Sequence, residues 1–467
     1  MQSTQGVYRG SIINMENTMR NITFFVCFLA TIISEATHLR AGQITLKQVS
    51  ELTYTVTLKI FTNTGSFIRF GDGELNFGDG SSVLITPTLD NSATPDPKIG
   101  VVNYSITHTF PGVGTFVISY MEPNLDAGII NIANSVETRF YVEAKISLVS
   151  GRNCSSPEFL TEQFSEQPIG KAYAFSNQAI DKNDYRLTYQ LASPLAPGKA
   201  SFTVPEGMSI NYYNGLVEWD TKFSGALVTG EYLFGVRVTQ YDNGGKEVGY
   251  VMRTFQILLA DVSSEISTMT SITDPNRKVI ATGGKSRTIR AVVTDNLLSN
   301  EIKWSVFYDN KIASNVSFTQ YDSLSGAKKM KVGLLMLNPT AAIVRDNPYS
   351  ITLRGTSITA AGQFSKDISY LFFTKDIELP SVITAVKDKS KKQFQAYPNP
   401  FSHFIRADEM NGMSECEFIL TDIAGQVVFS SKGKMINSIE TSDLAPGMYV
   451  LQMKNGEGAQ QQKLVKR

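Results

Sequence analysis

Residues 54–61 have the sequence Tyr-Thr-Val-Thr-Leu-Lys-Ile-Phe, in which apolar and polar side chains largely alternate. Since successive side chains of a β-strand point to opposite faces, this period of two predicts a half-buried strand. No comparable stretch outside residues 19–36 has a 3.6-residue period. The sequence therefore predicts an all-β chain of tandem Ig-like β-sandwiches rather than a parallel α/β sheet. Similar strand-like runs occur at Thr138 to Leu148, Leu187 to Leu191, Tyr232 to Gln240, Arg253 to Leu259, Thr288 to Val293, Glu301 to Tyr308, Lys329 to Leu337 and Tyr349 to Leu353.

Length and composition exclude several functional classes. The chain has 467 residues, enough for about three or four domains that each bury a core. Its 43 basic and 43 acidic residues cancel, which gives no electrostatic reason to expect nucleic acid as a partner. Three cysteines and three widely spaced histidines provide neither a disulfide framework nor a zinc site.

The beginning of the chain predicts export. Met19-Arg20 precedes an apolar run of about a dozen residues, and Ser34-Glu35-Ala36 then offers a small-x-small cleavage pattern. A membrane anchor is the alternative, but about 20 apolar residues are needed to span a bilayer. We therefore expect a signal peptide at residues 1–36, with Met15 or Met19 as the possible true start.

Two turns mark the predicted first domain, residues 37–151. Residues 75–82 read Leu-Asn-Phe-Gly-Asp-Gly-Ser-Ser, and residues 108–116 read His-Thr-Phe-Pro-Gly-Val-Gly-Thr-Phe. The two stretches resemble the paired signatures of the PKD domain, an Ig-like sandwich of extracellular proteins, with Phe77 in place of its usual tryptophan. Asp79 and His108 are interpreted as structural, because Asp-Gly turns use the carboxylate to accept backbone N–H groups.

The predicted second domain, residues 152–262, resembles cadherin-like and bacterial Ig-like domains. Asn214-Gly215 is a strong hairpin signal, and Trp219 is expected to anchor the core. Acidic and amide side chains on its loops could supply the oxygen ligands that calcium prefers. The alternative is that they only hydrogen-bond their own turns. The candidate calcium ligands are Asp181, Asn183, Asp184, Asp220 and Asp242.

A third predicted sandwich, residues 263–376, carries no family signature. The run Lys-Asp-Lys-Ser-Lys-Lys at residues 387–392 is too polar to enter a core, so residues 377–393 are predicted to be a solvated linker.

Three motifs occupy the predicted final domain, residues 394–467. Residues 397–401 read Tyr-Pro-Asn-Pro-Phe, a proline-restrained entry into a strand. Pro446-Gly447 suits a type II turn before a strand-like run, and the chain ends with Lys-Leu-Val-Lys-Arg. Together the motifs resemble the type A C-terminal sorting domain of the Bacteroidetes type IX secretion system. The positions that carry this resemblance are Tyr397, Pro398, Asn399, Pro400, Gly447, Tyr449, Lys463 and Lys466.

The resemblance implies that the type IX machinery recognises this domain and that the protein reaches the cell surface or the medium. It also implies possible cleavage with attachment to surface lipopolysaccharide. For the rest of the chain no catalytic motif is found: Gly-x-Ser-x-Gly does not occur, and three scattered histidines do not make a catalytic triad.

We therefore predict a protein that is not an enzyme. An adhesin-like protein with an extracellular protein or glycan ligand is the first hypothesis. The alternatives are a passive stalk or matrix component and a polysaccharide-binding or polysaccharide-degrading accessory protein, for which Tyr212-Tyr213 is the candidate sugar platform.

Overall fold

The computed structural model describes residues 39–65, 70–86, 92–93, 98–123, 125–162, 166–198, 202–222, 227–261, 268–271, 278–295, 298–325, 328–359, 362–375, 396–397, 399–407, 416–422, 426–433, 439–455 and 458–466. The chain divides into two compact units between Ile377 and Glu378. The predicted signal peptide and linker lie outside the described residues and stay predictions.

Strands and turns account for nearly all described residues, so the predicted all-β class is confirmed. Each strand-like run named from the sequence coincides with an observed strand. In the strand that contains residues 54–61, Tyr54, Val56, Leu58 and Ile60 are buried and the residues between them are partly exposed, as the alternation predicts. The helical segments of the described chain are three 3-10 turns, Ser135–Glu137, Asn310–Asn315 and Ala341–Ile343.

Twelve of the strands between residues 39 and 260 share one large sheet, and the other five form a three-stranded and a two-stranded sheet. Its backbone path runs in the order β4-β3-β7-β8-β17-β1-β2-β6-β5, and β10, β13 and β16 join it beside β17. The strands of residues 39–148 are β1 (Leu39–Gln48), β2 (Thr53–Asn63), β3 (Glu74–Asn76), β4 (Ser82–Leu84), β5 (Ser92–Ala93), β6 (Ile99–Thr109), β7 (Gly114–Glu122) and β8 (Phe140–Leu148). Those of residues 158–260 are β9 (Glu158–Phe159), β10 (Glu166–Pro168), β11 (Ala172–Ser176), β12 (Ala179–Ile180), β13 (Arg186–Ala192), β14 (Met208–Ile210), β15 (Leu216–Asp220), β16 (Gly230–Tyr241) and β17 (Glu247–Ala260).

Strand β17 connects the first two predicted domains. It has 14 residues and pairs with β16 along most of its length, with β1 at residues 253–255 and with β8 at residues 249–251. Almost every residue of β17 is buried, which is the pattern of a strand covered on both faces. Hydrogen bonds between strands therefore cross the boundary predicted at residues 151 and 152.

Two core clusters flank the shared sheet, and each contains residues of both predicted domains. Val56, Leu58 and Ile60 belong to the first core. Trp219 is fully buried in the second, packed edge-on against Tyr232, which confirms its predicted role as an anchor.

The third region is a two-layer sandwich. One sheet has the order β18-β20-β23-β22 and the other β19-β25-β24-β21. Ile289 and Leu335 from the first sheet pack with Ile351 and Tyr370 from the second in a common core. The strands are β18 (Thr268–Ser271), β19 (Lys278–Ile280), β20 (Arg287–Asp295), β21 (Glu301–Tyr308), β22 (Val316–Ser325), β23 (Lys328–Leu337), β24 (Tyr349–Thr359) and β25 (Gly362–Phe373).

The second compact unit is a small sandwich of its own. A sheet with the order β26-β27-β30 faces a sheet with the order β29-β28-β31-β32. Phe401, Ile405, Leu420 and Leu451 lie in its core. The strands are β26 (Ala396–Tyr397), β27 (Phe404–Ala407), β28 (Cys416–Asp422), β29 (Val427–Gly433), β30 (Ile439–Glu440), β31 (Gly447–Asn455) and β32 (Gly458–Lys466).

Candidate functional site: the C-terminal module

The Tyr-Pro-Asn-Pro motif lies along the last strand of the chain. Tyr397 pairs with Arg406 in the small sheet, whereas Pro398 lies outside the described residues. The side chain of Asn399 donates from Nδ2 to the carbonyl of Lys463 at 2.9 Å and accepts from the backbone N–H of Val465 at 2.9 Å. Its amide group therefore makes the two hydrogen bonds that a neighbouring strand would make to this edge of β32.

The same alignment continues on both sides of Asn399. Before it, the side chain of Gln462 donates to the carbonyl of Ala396 at 2.9 Å and accepts from its N–H at 2.6 Å. After it, the N–H of Phe401 donates to the carbonyl of Val465 at 2.8 Å. The beginning and end of the module are thus joined by a continuous series of hydrogen bonds.

Lys466 closes this series. Its Nζ donates to the carbonyl of Ser402 and lies 5.8 Å from the centre of the Phe401 ring, and the residue is 7 % exposed. A buried ammonium needs such partners, because an unpaired charge inside a protein is costly. By contrast, Lys463 is exposed and contributes its backbone to the contact with Asn399.

Tyr449 fixes the turn that precedes β31. Its ring packs edge-on against Phe401, with ring centres 5.8 Å apart, and its hydroxyl donates to the carbonyl of Ala445 at 2.7 Å. Gly447 is the first residue of β31 and pairs with Lys466, while Pro400 is exposed. The structure thus brings Asn399, Tyr449 and Lys466 together around Phe401.

Two structural features of the module were not predicted. Nothing in the sequence pointed to Gln462, because an isolated glutamine in a polar run carries no positional signal. Met448 and Val465, directly paired on neighbouring strands, are 56 % and 40 % exposed and form an apolar area on the outer face of the four-stranded sheet. Strand alternation could have placed both on the same face, but not their exposure.

The predicted calcium ligands lie elsewhere and do not converge as a set. Asp181 is buried, accepts from the N–H groups of Asn183 and Tyr185, and contacts Gln240 at 2.5 Å. Its burial raises the pKa of its carboxyl, against the opposing effect of these hydrogen bonds. Asn183 itself accepts from the N–H of Ser155.

Asp184, predicted as a calcium ligand, pairs with cations of the third region. Arg345 Nη1 lies 2.6 Å and Lys311 Nζ 3.0 Å from its Oδ1. Arg345 also stacks on the ring of Tyr349 at 3.5 Å. The negative charge that a metal ion would use is therefore balanced by arginine and lysine.

Asp220 and Asp242 stabilise their own turns. Asp220 accepts from the N–H of Lys222, and Asp242 accepts from those of Gly244 and Lys246. Within the described ranges, no group of three or more His, Cys, Asp or Glu residues is arranged to hold a metal ion. Calcium binding stays a hypothesis, and a rise of the melting temperature in calcium relative to EDTA would support it.

Asp79 and His108 meet in the first region. Asp79 Oδ2 lies 2.7 Å from His108 Nε2, and the imidazole stacks on Phe77 with ring centres 3.9 Å apart. Asp79 Oδ1 accepts from the N–H and hydroxyl of Ser81. Burial opposes ionisation of Asp79, but the hydrogen bonds from Ser81 and His108 outweigh it and lower its pKa to about 2. The side chains of Phe77, Asp79, Ser81 and His108 thus hold this turn against β6, the strand that contains His108.

Comparisons with known structures give only distant likenesses. The N-terminal four Ig domains of Dscam1 are 10 % identical, with 92 % of this chain and 99 % of that chain covered and a TM-score of 0.18. The zebrafish RET cadherin-like domains 1 to 4 are 9 % identical, with coverage of 92 % and 96 % and a TM-score of 0.18. Three domains of human CDH23, EC21-23, are 13 % identical, with coverage of 67 % and 100 % and a TM-score of 0.17. TM-scores this low carry no argument, and no curated protein matches the chain.

The C-terminal module gives a specific match. Residues 395–467 match the family model described as the secretion system C-terminal sorting domain. The match covers the whole small sandwich, including the series of contacts from Ala396 to Lys466. In the part of the chain that the structure describes, no helix is long and apolar enough to cross a membrane. The C-terminal module is a sorting domain of the type IX secretion system, which implies engagement with that machinery and export to the cell surface or the medium.

Proposed function

We propose that this exported protein is an adhesin-like binding protein, whose first region presents an apolar tip to an extracellular protein or glycan. The observation that carries the proposal is the valine tip, defined as Val49, Val113 and Val149. These side chains are 61 %, 62 % and 46 % exposed on three separate loops. Singly exposed valines are ordinary, but three on adjoining loops are a feature of interaction surfaces.

The three loops adjoin at one end of the large sheet. Strands β1, β2, β6, β7 and β8 begin or end there, because Thr53 pairs with Thr109 and Gly114 pairs with Leu148. Glu51 accepts from the Ser150 hydroxyl at 2.6 Å and thereby ties the first loop to the third. The N–H of Phe110 donates to the carbonyl of Leu52 at 2.9 Å and ties the first to the second. Loops restrained in this way lose little conformational entropy on binding.

A binding assay with matched controls tests this proposal. Beads coated with the purified protein would be incubated with a panel of insoluble polysaccharides and extracellular matrix proteins. Serine substitution of the valine tip is expected to lower adhesion at least tenfold without lowering the melting temperature. Serine at Val228 and Val344, which are 50 % and 48 % exposed elsewhere, is the control. Equal adhesion of the tip variant and the control variant would contradict the proposal.

A passive stalk or matrix component is the second candidate. The extensive hydrogen bonding between predicted domains supports it, because a stiff tandem can act as a spacer without a ligand. Absence of binding across the whole panel, together with a defect in cell-surface assembly when the protein is deleted, would favour the stalk.

A polysaccharide-binding or polysaccharide-degrading accessory is the third candidate. It depends on Tyr212 and Tyr213, which are both partly exposed. Their rings are 5.3 Å apart but inclined by 81°, so they do not form one flat platform for stacking sugars. Polysaccharide binding that is lost on Tyr212→Ala and unaffected at the valine tip would favour this candidate.

Attachment to lipopolysaccharide is a further part of the proposal. The sorting domain supports it through the family resemblance of its motifs. Mass spectrometry of the surface form is expected to show removal of the domain and a new carbohydrate mass, whereas an intact C-terminus would indicate simple release.

A further inference from the structure

A small cavity lies between the second and third predicted domains of the first unit. It has a volume of about 10 Å³, and its walls include Phe175, Asn177, Arg253, Phe255 and Arg354. This volume is close to the minimum that accommodates one particle the size of a water molecule. The cavity is therefore a site for a single small occupant.

Arg253 brings a buried positive charge to this cavity without an ion-pair partner among the described residues. The residue is 2 % exposed. Its Nε donates to Gln43 Oε1 at 2.7 Å and its Nη1 to the carbonyl of Thr161 at 2.8 Å. Both acceptors are neutral, and the guanidinium also lies 3.8 Å from the centre of the Phe159 ring.

Asn177 adds a second donor to the cavity wall. The residue is 2 % exposed, and its Nδ2 is buried without a hydrogen-bond partner in the described part of the chain. Buried polar groups normally find partners, because each one left unpaired costs about 1–3 kcal/mol. An unused donor and the positive charge of Arg253 therefore line the same small space.

The other charges around the cavity are balanced. Arg354 forms a bidentate pair with Asp367, with distances of 2.8 and 2.9 Å, and its Nη1 donates to the carbonyl of Glu162. The Glu162 carboxylate pairs with Lys59 at 2.7 Å. Among the charged residues described in the cavity wall, this leaves Arg253 without an ion pair. Its burial lowers its pKa to about 9, although Glu162 acts in the opposite direction and Arg354 in the same one.

We propose that this cavity binds a single small inorganic anion such as chloride, held by Arg253 and Asn177. The site offers donors and a net positive charge to its occupant, which favours an anion over a neutral water molecule. Gln43, Asn177 and Arg354 come from the first, second and third predicted domains. The cavity walls come from the second and third of these domains, so an anion in the cavity stabilises the contact between those two.

Bromide provides the direct test, since it replaces chloride and is located by anomalous scattering. Crystals of the full chain grown in bromide are expected to show an anomalous peak in the cavity, within hydrogen-bond distance of Asn177 Nδ2 and beside the Arg253 guanidinium. Bromide peaks on the surface with none in the cavity would overturn the proposal. An electron-density peak at that position without anomalous signal would identify water and would also overturn the proposal.

Thermal unfolding gives a second test in solution. At constant ionic strength, replacing gluconate by chloride is expected to raise the melting temperature of the first unit by a few degrees, because only the folded state binds the ion. Asn177→Leu removes one donor without adding a charge and is expected to abolish this response. Arg186→Gln is the control, since Arg186 is exposed and stacks on Tyr241 away from the cavity walls. Equal melting temperatures of the unchanged protein in the two salts would contradict the proposal.

Discussion

The two compact units close their structures by different means. Apart from the Lys466 ammonium, the C-terminal module joins its ends through neutral groups, with the side-chain amides of Gln462 and Asn399 bonding to the backbone. The first unit instead connects its second and third regions through the buried Arg354–Asp367 pair, whose carboxylate also accepts from the N–H of Ser176. Neutral bonds at a solvated edge can be replaced by water, whereas a buried charge cannot lose its partner cheaply. The first unit should therefore tolerate loss of a contact less well than the sorting module.

Removal of Asp367 should produce the largest loss of stability. Asp367→Ala leaves Arg354 buried without its counter-ion, which is expected to cost about 3–5 kcal/mol. Urea unfolding of the first unit, followed by tryptophan fluorescence, measures this loss. The double variant Arg354→Met with Asp367→Ala is the control and should lose clearly less than Asp367→Ala alone. A double variant that is as unstable as the single one would contradict the charge argument.

Glu122 extends the comparison, because it is a buried carboxyl that accepts hydrogen bonds from neutral groups. Burial raises its pKa to about 7, although hydrogen bonds from Tyr120 and the Gly71 backbone oppose the change, and the charge of Asp72 adds to it. The unfolded chain then releases this proton near pH 4.5, but the folded chain keeps it until about pH 7. The free energy of unfolding should consequently fall by about 2–3 kcal/mol between these pH values.

Glu122→Gln should remove this pH dependence. Urea unfolding at a series of pH values compares the variant with the unchanged protein, and Glu137→Gln, on an exposed 3-10 turn, is the control. A slope that persists in Glu122→Gln would assign the titration to another group.

A substitution of Asn399 tests how much the amide hydrogen bonds to β32 contribute to the sorting module. Asn399→Ala removes both bonds to β32 and is expected to cost about 1–2 kcal/mol, because the exposed edge regains water. The expected result is faster proteolysis of the module and a lower fraction of protein exported. Gln461→Ala, at an exposed position of the same strand, should leave both unchanged. Normal export with a fully destabilised module would separate folding of the module from its recognition.

The Asp184 contact should have the smallest effect. Its side chain is 45 % exposed, so solvent weakens its pairing with Arg345 and Lys311. Asp184→Asn is expected to lower the free energy of unfolding by about 1 kcal/mol, and the loss should shrink as salt is added. The matched control is Asp346→Asn, in an exposed pair with Lys375. A loss as large as that of Asp367→Ala would contradict the expectation that an exposed charge pair contributes less to stability than a buried one.

The strands and the sorting domain could be predicted because their signals lie in short stretches of sequence. The alternation at residues 54–61 predicted a strand because side-chain direction follows from backbone geometry alone. The motifs around Asn399 and Gly447 identified the sorting domain for a similar reason, since proline and glycine act on their own backbone. In each case the decisive interaction lies within a few residues.

Pairing between distant segments was not predictable in this way. The loop acids Asp181 and Asp184 are three residues apart, and their carboxylates suit calcium, so the sequence favours them as candidate ligands. Only the folded chain brings Arg345 to Asp184 and Gln240 to Asp181. The sequence contains no signal for these partners, because 161 residues separate the first pair and 59 the second.

The sequence by itself determined the β class, the alternating burial of strands such as β2 and the export address at the C-terminus. Each depends on local backbone preference and on the period of two between side chains. The tertiary structure alone decided that β17 joins two predicted domains in one sheet, that Arg354 is neutralised by Asp367 and that Arg253 is left facing a cavity. These outcomes depend on which distant segments pack together, and burial then determines how much each charge costs.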